Sequence, residues 1–342
     1  MAARGHNFEK GRIVDQSLSS KKRRLRRACV LGSLPMLVGL ATVPQVASAS
    51  EMSLAVNTVN PSWPTSLALA SVGAENSTAL LASLAPIEDV FKKFMDLTLT
   101  VYTGTSYAAV IEAQEAGKVQ VAEYGPFSYT IAYYLQHLKI ENVGILLAAP
   151  GTNGGYWSLG VVDPKRTPGF TSIKQAAGKK VCFSDPSSTS GFLYPSYGLL
   201  KAGINPETGV DPVFAGTDST TALDVYNGGC QLGFTNTFNL PEVFSENHVP
   251  KTDLKVIWTS PEIPGNPVAV SDSLPASFRA EFSKVLVDYA NSGYMTKAGY
   301  CKSVSYCTNL TGGWGFGPPS DATFGVVLQI CNLTKAPACK LS

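Results

Sequence analysis

Histidine is scarce in this chain, with three in 342 residues. One, His6, lies in a basic N-terminal leader, so only His137 and His248 serve the rest. Imidazole-based acid–base chemistry and most zinc sites therefore lack their usual side chain. Charge is sparse as well, at 15% of residues against 44% hydrophobic, a globular balance and not a disordered one. No G-x-S-x-G nucleophile elbow occurs, because the five residues ending at Gly191 read S-S-T-S-G and lack the first glycine. Paired C-x-x-C spacing is absent too, which argues against a structural metal. Neither internal repeats nor low-complexity tracts interrupt the sequence.

The leader explains a misleading net charge of +2. Residues 21–27 read KKRRLRR, an apolar run from Ala28 to Ala41 follows, and Ala47-Ser48-Ala49 closes the segment. A basic region, a short hydrophobic core and an A-x-A site form a secretory signal peptide over residues 1–49, with an uncleaved anchor as the alternative. The run is short for a bilayer span. Residues 1–50 hold nine of the 27 Lys+Arg and two of the 25 Asp+Glu, so the remainder carries 18 and 23, a net of −5. That balance excludes a nucleic-acid partner, since no basic patch remains to neutralise phosphates. It also means that any anionic ligand must be held by local dipoles. Export predicts a periplasmic, cell-surface or extracellular location. No lipid-anchor cysteine follows the apolar run.

Six cysteines remain after Cys29, an even number that suits disulfides in an exported chain. Sequence proximity favours Cys301–Cys307 and Cys331–Cys339, which leaves Cys182–Cys230. After a Pro-containing stretch at 50–65, short β-rich runs alternate with helical ones. Strands are expected at Leu67–Val72, Leu97–Tyr102, Val119–Tyr124, Val143–Ala149, Tyr156–Val162, Lys180–Ser184 and Gln231–Thr235. Helices are expected at Ser77–Phe94, Tyr107–Ala116, Phe127–Leu135, Gly191–Ala202 and Thr220–Asn227. Strands separated by crossover helices predict an α/β class with parallel sheets.

In open α/β sheets, ligands collect beyond the carboxyl ends of the strands, beside helix N-termini. The run FSDPSSTSGFLYPSYGLL places four consecutive hydroxyls, Ser187 to Ser190, and Gly191 between a strand and a helix. One hydroxyl would suffice as an N-cap, worth about 1 kcal/mol. Four and a glycine also suit an oxyanion at the positive end of a helix. From this stretch alone, capping and anion binding both stay open. A similar turn, Tyr102-Thr103-Gly104-Thr105-Ser106-Tyr107, precedes the helix AAVIEAQEAG. The two turns could face one another across a cleft and hold an oxyanion without a lysine.

Three runs, DPSSTSGFLYPSYGLLKAGINP, SYAAVIEAQEAGKVQVAEYGPFSY and IWTSPEIPGNPVAV, resemble the PhnD-type substrate-binding proteins of phosphonate/phosphite ABC transporters. The likeness covers roughly residues 67–291. It implies a type II periplasmic-binding-protein fold, with two α/β lobes, a two-strand hinge and a ligand cleft between them. Lobe one would hold 66–154 and 267–342, and lobe two 155–266, with crossovers near Gly154–Trp157 and Ile263–Pro267. The same resemblance implies that Ser188, Thr189 and Ser190 donate to the ligand's oxygens, joined by Tyr107 and Tyr156. Tyr124, at a strand end ahead of Gly125-Pro126, is a further candidate facing the cleft.

Departures from the family pattern carry expectations of their own. A supporting histidine is replaced by Asp218 in FAGTDSTTAL, or by Thr217 if the register shifts by one. As a ligand contact, Asp218 would accept from an acidic P–OH and favour a protonated oxyanion. As a plain structural residue it would cap the helix from Thr220. Carboxylates that bind a ligand ammonium in the family are replaced by Phe238 in TNTFNL and Asn266 in IPGNP. Their loss predicts weak binding of 2-aminoethylphosphonate and preference for phosphite, methylphosphonate or phosphate.

The function implied is the extracytoplasmic binding component of an ABC importer for a small phosphorus oxyanion. The chain would be a monomer that delivers its ligand to a membrane permease and needs no cofactor. A ligand sensor of the same fold docking to a membrane receptor is the alternative, and an exported hydrolase a more distant one. The part from Tyr300 to Ser342 lies outside the resemblance and is expected to pack on lobe one as a disulfide-tied extension.

Overall fold

The structure is a computed structural model and describes residues 57–72, 77–152 and 154–340. The expected signal peptide lies outside the described residues. The first run of elements is β1 (Ser66–Val72), α1 (Ser77–Met95), β2 (Thr98–Gly104), α2 (Tyr107–Glu115), β3 (Val121–Glu123), α3 (Pro126–Thr130) and β4 (Ile140–Leu147). The second comprises β5 (Ser158–Val162), β6 (Lys180–Phe183), α4 (Tyr194–Lys201), β7 (Asp211–Phe214), α5 (Asp218–Asn227), β8 (Leu232–Asn236), α6 (Asn239–Glu246) and β9 (Lys255–Thr259). The chain then returns through β10 (Pro267–Ser271), α7 (Ala276–Tyr289), α8 (Ser292–Lys297), α9 (Val304–Leu310), β11 (Gly315–Gly317) and α10 (Gly325–Thr334).

These strands form a six-stranded sheet, β11-β4-β10-β3-β1-β2, and a five-stranded sheet, β7-β6-β8-β5-β9. Alternation along β1 shows how the first sheet divides its faces. Leu67 and Leu69 pack with Phe91 of α1 and with Phe278 and Phe282 of α7, while Ala70 joins the opposite cluster with Val110 and Ile111 of α2. Phe91 and Phe282 stack at 4.3 Å, which fastens α1 to α7 across one face.

Both sheets are mixed, which corrects the expectation of parallel ones. The pairs β1–β2, β1–β3, β6–β7 and β6–β8 are parallel, as helical crossovers require. Apart from β11 against β4, the exceptions arise where the chain passes between sheets. Returning β10 runs antiparallel to β3 and β4, and β5 runs antiparallel to β8 and β9. Between the sheets the two passing segments touch at an antiparallel bridge. Tyr156 N donates to Ile263 O at 3.0 Å, and Ile263 N to Tyr156 O at 2.8 Å.

The three cysteine pairs form as proximity suggested: Cys182–Cys230, Cys301–Cys307 and Cys331–Cys339. The C-terminal segment reaches further than one sheet. Strand β11 joins the first sheet against β4, but α10 lies against both α3 and α4. Phe324, Val327, Ile330 and Cys331 thereby enter a buried cluster that also contains Phe127, Phe192 and Leu193. Asp321 fixes the approach by accepting from the Tyr129 hydroxyl at 2.9 Å. Among the described residues no helix is long and apolar enough to cross a membrane.

Candidate ligand-binding site

The hydroxyl run beyond β6 folds as a wide turn. Asp185 starts it: its Oδ1 accepts from Ser187 N at 2.7 Å and its carbonyl from Ser188 N at 2.9 Å. Ser188 then caps the helix, its Oγ accepting from Gly191 N at 3.0 Å. Residues Thr189–Leu193 make one π-helical turn before α4, so the helix opens two residues earlier and wider than expected. Pro195 contributes to this shape because it cannot donate to the carbonyls behind it. Those of Ser190 and Gly191 are taken instead by Ser158 Oγ at 2.6 Å and Ser184 N at 3.2 Å. Gly191 has no room for a side chain: a Cβ there would lie 1.7 Å from Ser184 Oγ and 2.4 Å from Asp218 Oδ1.

Each of the three hydroxyls implied by resemblance has a distinct partner, and all are buried, at 1%, 2% and 4% exposure for Ser188, Thr189 and Ser190. Ser188 shares a hydrogen bond with the Tyr107 hydroxyl. Thr189 Oγ1 accepts from Phe127 N at 2.8 Å, so the second sheet's turn is bonded to the first residues of α3. Ser190 Oγ donates to Asp218 Oδ2 at 2.7 Å. The Tyr156 hydroxyl bonds to those of Ser190 and Thr189.

The two hydroxyl turns do meet. Ser106 caps α2, its Oγ accepting from Ala109 N at 3.1 Å. Tyr107, the first residue of α2, donates its backbone N–H to the Asp185 carboxylate across the cleft. Gly125 completes the contact, since a Cβ there would stand 3.3 Å from the Tyr107 ring and 3.4 Å from Thr189 Oγ1. Burial pushes both the Tyr107 and the Tyr156 phenols up, so both stay neutral donors at physiological pH.

Asp218 occupies the first turn of α5, and Thr217 is the cap, its Oγ1 accepting from Thr220 N at 3.1 Å. Asp218 is therefore released from the capping role weighed for it and turns its carboxylate onto Ser190 and the Asn236 amide. Phe238 places its ring 5.4 Å from that of Tyr156. Asn266 Nδ2 donates to Glu123 Oε1 at 3.2 Å. Tyr124 is the one candidate that leaves the group. It is fully buried in the first sheet's core, its hydroxyl donating to Gln114 Oε1 at 2.6 Å. The strand's alternation points Tyr124 one way and Glu123 the other.

Three contributors went unassigned in the sequence. Asp185 lies in the quoted run, and Asn236 and Glu123 end β8 and β3. A polar residue closing a strand, on the cleft side, was the signal available for the last two. Burial raises the carboxyl groups of Glu123 and Asp185, although hydrogen bonds from Asn266 and Ser71, and from Ser187 and Tyr107, act in the opposite direction. Asp218 accepts from Ser190 and Asn236, and Glu123 from Asn266. The arrangement can therefore present hydroxyl and N–H donors together with carboxylate acceptors to a small polar ion. No three His, Cys, Asp or Glu side chains among the described residues converge as a metal site.

Residues 69–305 match the family described as "ABC transporter, phosphonate, periplasmic substrate-binding protein". The chain is 31% identical over 292 residues to the phosphate-import protein PhnD of Mycolicibacterium smegmatis, covering 83% of this chain and 90% of that one. It is 28% identical over 224 residues to the phosphonates-binding periplasmic protein of Escherichia coli, covering 65% of each. Among solved structures, PhnD1 of Prochlorococcus marinus in complex with methylphosphonate superposes with a TM-score of 0.66 at 16% identity, over 80% of this chain and 99% of that one. The binding component of a Pseudomonas aeruginosa phosphonate transporter reaches 0.68 at 22% identity, over 79% and 86%. The fold is that of a two-lobed periplasmic binding protein. The chain belongs to the phosphonate substrate-binding family of ABC transporters.

Proposed function

We propose that this member of the phosphonate substrate-binding family captures a small phosphorus oxyanion outside the cytoplasmic membrane and delivers it to an ABC permease. Lobe one spans 66–154 and 267–342, lobe two spans 155–266, and the ligand lies where the two hydroxyl turns meet. The observation that carries this reading is the convergence of Ser188, Thr189 and Ser190 with Tyr107 and Tyr156, which belong to different parts of the chain. Such donors suit the oxygens of phosphate, phosphite or a short phosphonate. Asp218 beside Ser190 suits an ion that still carries a proton. Phe238 and Asn266 line the side where a substituent on phosphorus would project.

The role is binding, not catalysis. The hydroxyls are engaged with one another and with Asp218 and Phe127 N, and among the described residues none is hydrogen-bonded to a histidine base. The chain is exported, and a membrane permease is its partner. Calorimetric titration of ligand-stripped protein with phosphate, phosphite, methylphosphonate, 2-aminoethylphosphonate and sulfate tests the reading. Micromolar or tighter binding of one phosphorus oxyanion, with sulfate silent, is expected. Silence across the panel would refute it.

A further inference from the structure

The candidate site contains acceptors that a fully ionised oxyanion would leave facing negative charge. Asp218, from lobe two, receives Ser190 and Asn236. Asp185, also from lobe two, receives Ser187 N and Tyr107 N. Glu123, from lobe one, ends β3 and receives Asn266 and Ser71. Glu123 stands two residues ahead of Gly125, where a Cβ would lie 3.3 Å from the Tyr107 ring and 3.4 Å from Thr189 Oγ1, so the end of β3 approaches both hydroxyl turns. Asp185 is committed to the backbone of the two turns. That leaves Asp218 and Glu123 as acceptors on opposite lobes.

A tetrahedral ion placed between them must bring a proton toward each. Dihydrogen phosphate has two P–OH groups and two unprotonated oxygens. Its P–OH groups can donate to Asp218 and Glu123, while the other oxygens accept from the hydroxyls of Ser188, Thr189, Tyr107 and Tyr156. The monoanions of methylphosphonate and phosphite each carry one P–OH, with a methyl group or a hydrogen in place of the second. One desolvated carboxylate would then face an apolar substituent. A site built to bond a hydroxyl rejects an analogue lacking it far more strongly than a hydrophobic pocket discriminates by size.

We infer that Glu123 is a specificity-determining residue, which accepts a second P–OH and selects dihydrogen phosphate over ligands with one P–OH. This rests on the proposed function and narrows its ligand. The groups facing Glu123 are Ser71 of β1, Asn266 ahead of β10 and Tyr107 of α2, none of them cationic. The ion that brings two P–OH groups is the monoanion, so affinity falls as pH rises through the second ionisation of phosphate.

The test is calorimetric titration of the ligand-stripped full chain and of Glu123→Gln with phosphate, methylphosphonate and 2-aminoethylphosphonate, at pH 6 and pH 8. Expected for the wild type is a preference for phosphate over methylphosphonate of about 10–100-fold at the lower pH, the size of one unmade hydrogen bond to a desolvated charge. Glu123→Gln should bring that preference close to unity, chiefly by weakening phosphate. Glu123→Asp, which keeps the charge on a shorter side chain, should give an intermediate preference and guards against a misfolded first variant. Equal loss for both ligands, no change, or a wild-type preference for methylphosphonate would overturn the inference while leaving the proposed function standing. Tighter binding of 2-aminoethylphosphonate than phosphate, lost in Glu123→Gln, would also overturn it and make Glu123 an ammonium partner. Binding of none of the three, with phosphite silent as well, would remove the proposed function and this inference together.

Discussion

The two hydroxyl turns begin from nearly the same sequence signal and end in different roles. Thr103-Gly104-Thr105-Ser106 ends β2 and leads into α2, and Ser187-Ser188-Thr189-Ser190-Gly191 follows β6 and opens the π turn before α4. In the first, Thr103 and Thr105 are exposed and Ser106 does no more than cap the helix. In the second, the last three hydroxyls are buried, and each meets a residue distant in sequence. What separates them is cover. The second turn lies beneath Phe127 and Tyr107 from one lobe and against Tyr156 and Asp218, whereas the first offers the cleft only the backbone N–H and the phenol of Tyr107. A serine-rich turn becomes a binding element when neighbouring surfaces exclude water from it, since desolvation is what makes each hydroxyl's partner decisive.

Substitutions should separate the turns in order of effect. Gly191→Ala puts a methyl group into Ser184 and Asp218, so it should abolish ligand binding and cost about 1–3 kcal/mol of stability in thermal unfolding. A binding-competent Gly191→Ala protein would mean that the turn is looser than its packing indicates. Ser190→Ala removes a donor from Asp218 and should weaken phosphorus-oxyanion binding about 10–100-fold by calorimetry. Ser106→Ala, at the equivalent place in the other turn, should cost about 1 kcal/mol of stability and leave affinity little changed. Equal affinity losses in the two serine variants would erase the contrast between the turns.

The smallest effect concerns pH. Glu123 and Asp185 have carboxyl groups raised by burial, so the ligand-free fold binds their protons more readily than the unfolded chain does. Their contribution to stability is present below the ordinary carboxylate range and is lost as pH rises through the folded-state values. Asp96 has the opposite sign: Lys92 and Thr58 lower it to about 2, so its contribution fades only as pH falls toward that value. The difference between wild type and Glu123→Gln isolates one group. In denaturant unfolding, Glu123→Gln should gain on the wild type as pH rises from 4 to 8; a pH-independent gap would show that Glu123 keeps its ordinary affinity for protons.

Much of the fold could be read from alternation and turn residues. The strand at Leu67–Val72 and the helix from Ser77 fall within a residue of β1 and α1, because residue periodicity is a local signal. Strand direction was harder to read. The antiparallel settings of β5 and β10 depend on where the chain passes between sheets, and no local pattern records that. At the site, resemblance to the family drew attention to Ser188, Thr189, Ser190, Tyr107 and Tyr156, which the fold brings together. Tyr124 departs because adjacency to a turn does not reveal which face of a strand a residue takes; its hydroxyl bonds to Gln114, whereas Glu123 accepts from Asn266. The C-terminal extension was expected on one lobe. The apolar side of α10, with Val327 and Ile330, instead meets helices on both.

A crystal structure of the protein loaded with phosphate would test the central claim most directly. The account predicts phosphorus between the two turns, with ligand oxygens within hydrogen-bond reach of Ser188, Thr189, Ser190, Tyr107 and Tyr156, and with no lysine, arginine or histidine in contact. Phosphate bound elsewhere, or gripped by a cationic side chain, would contradict it.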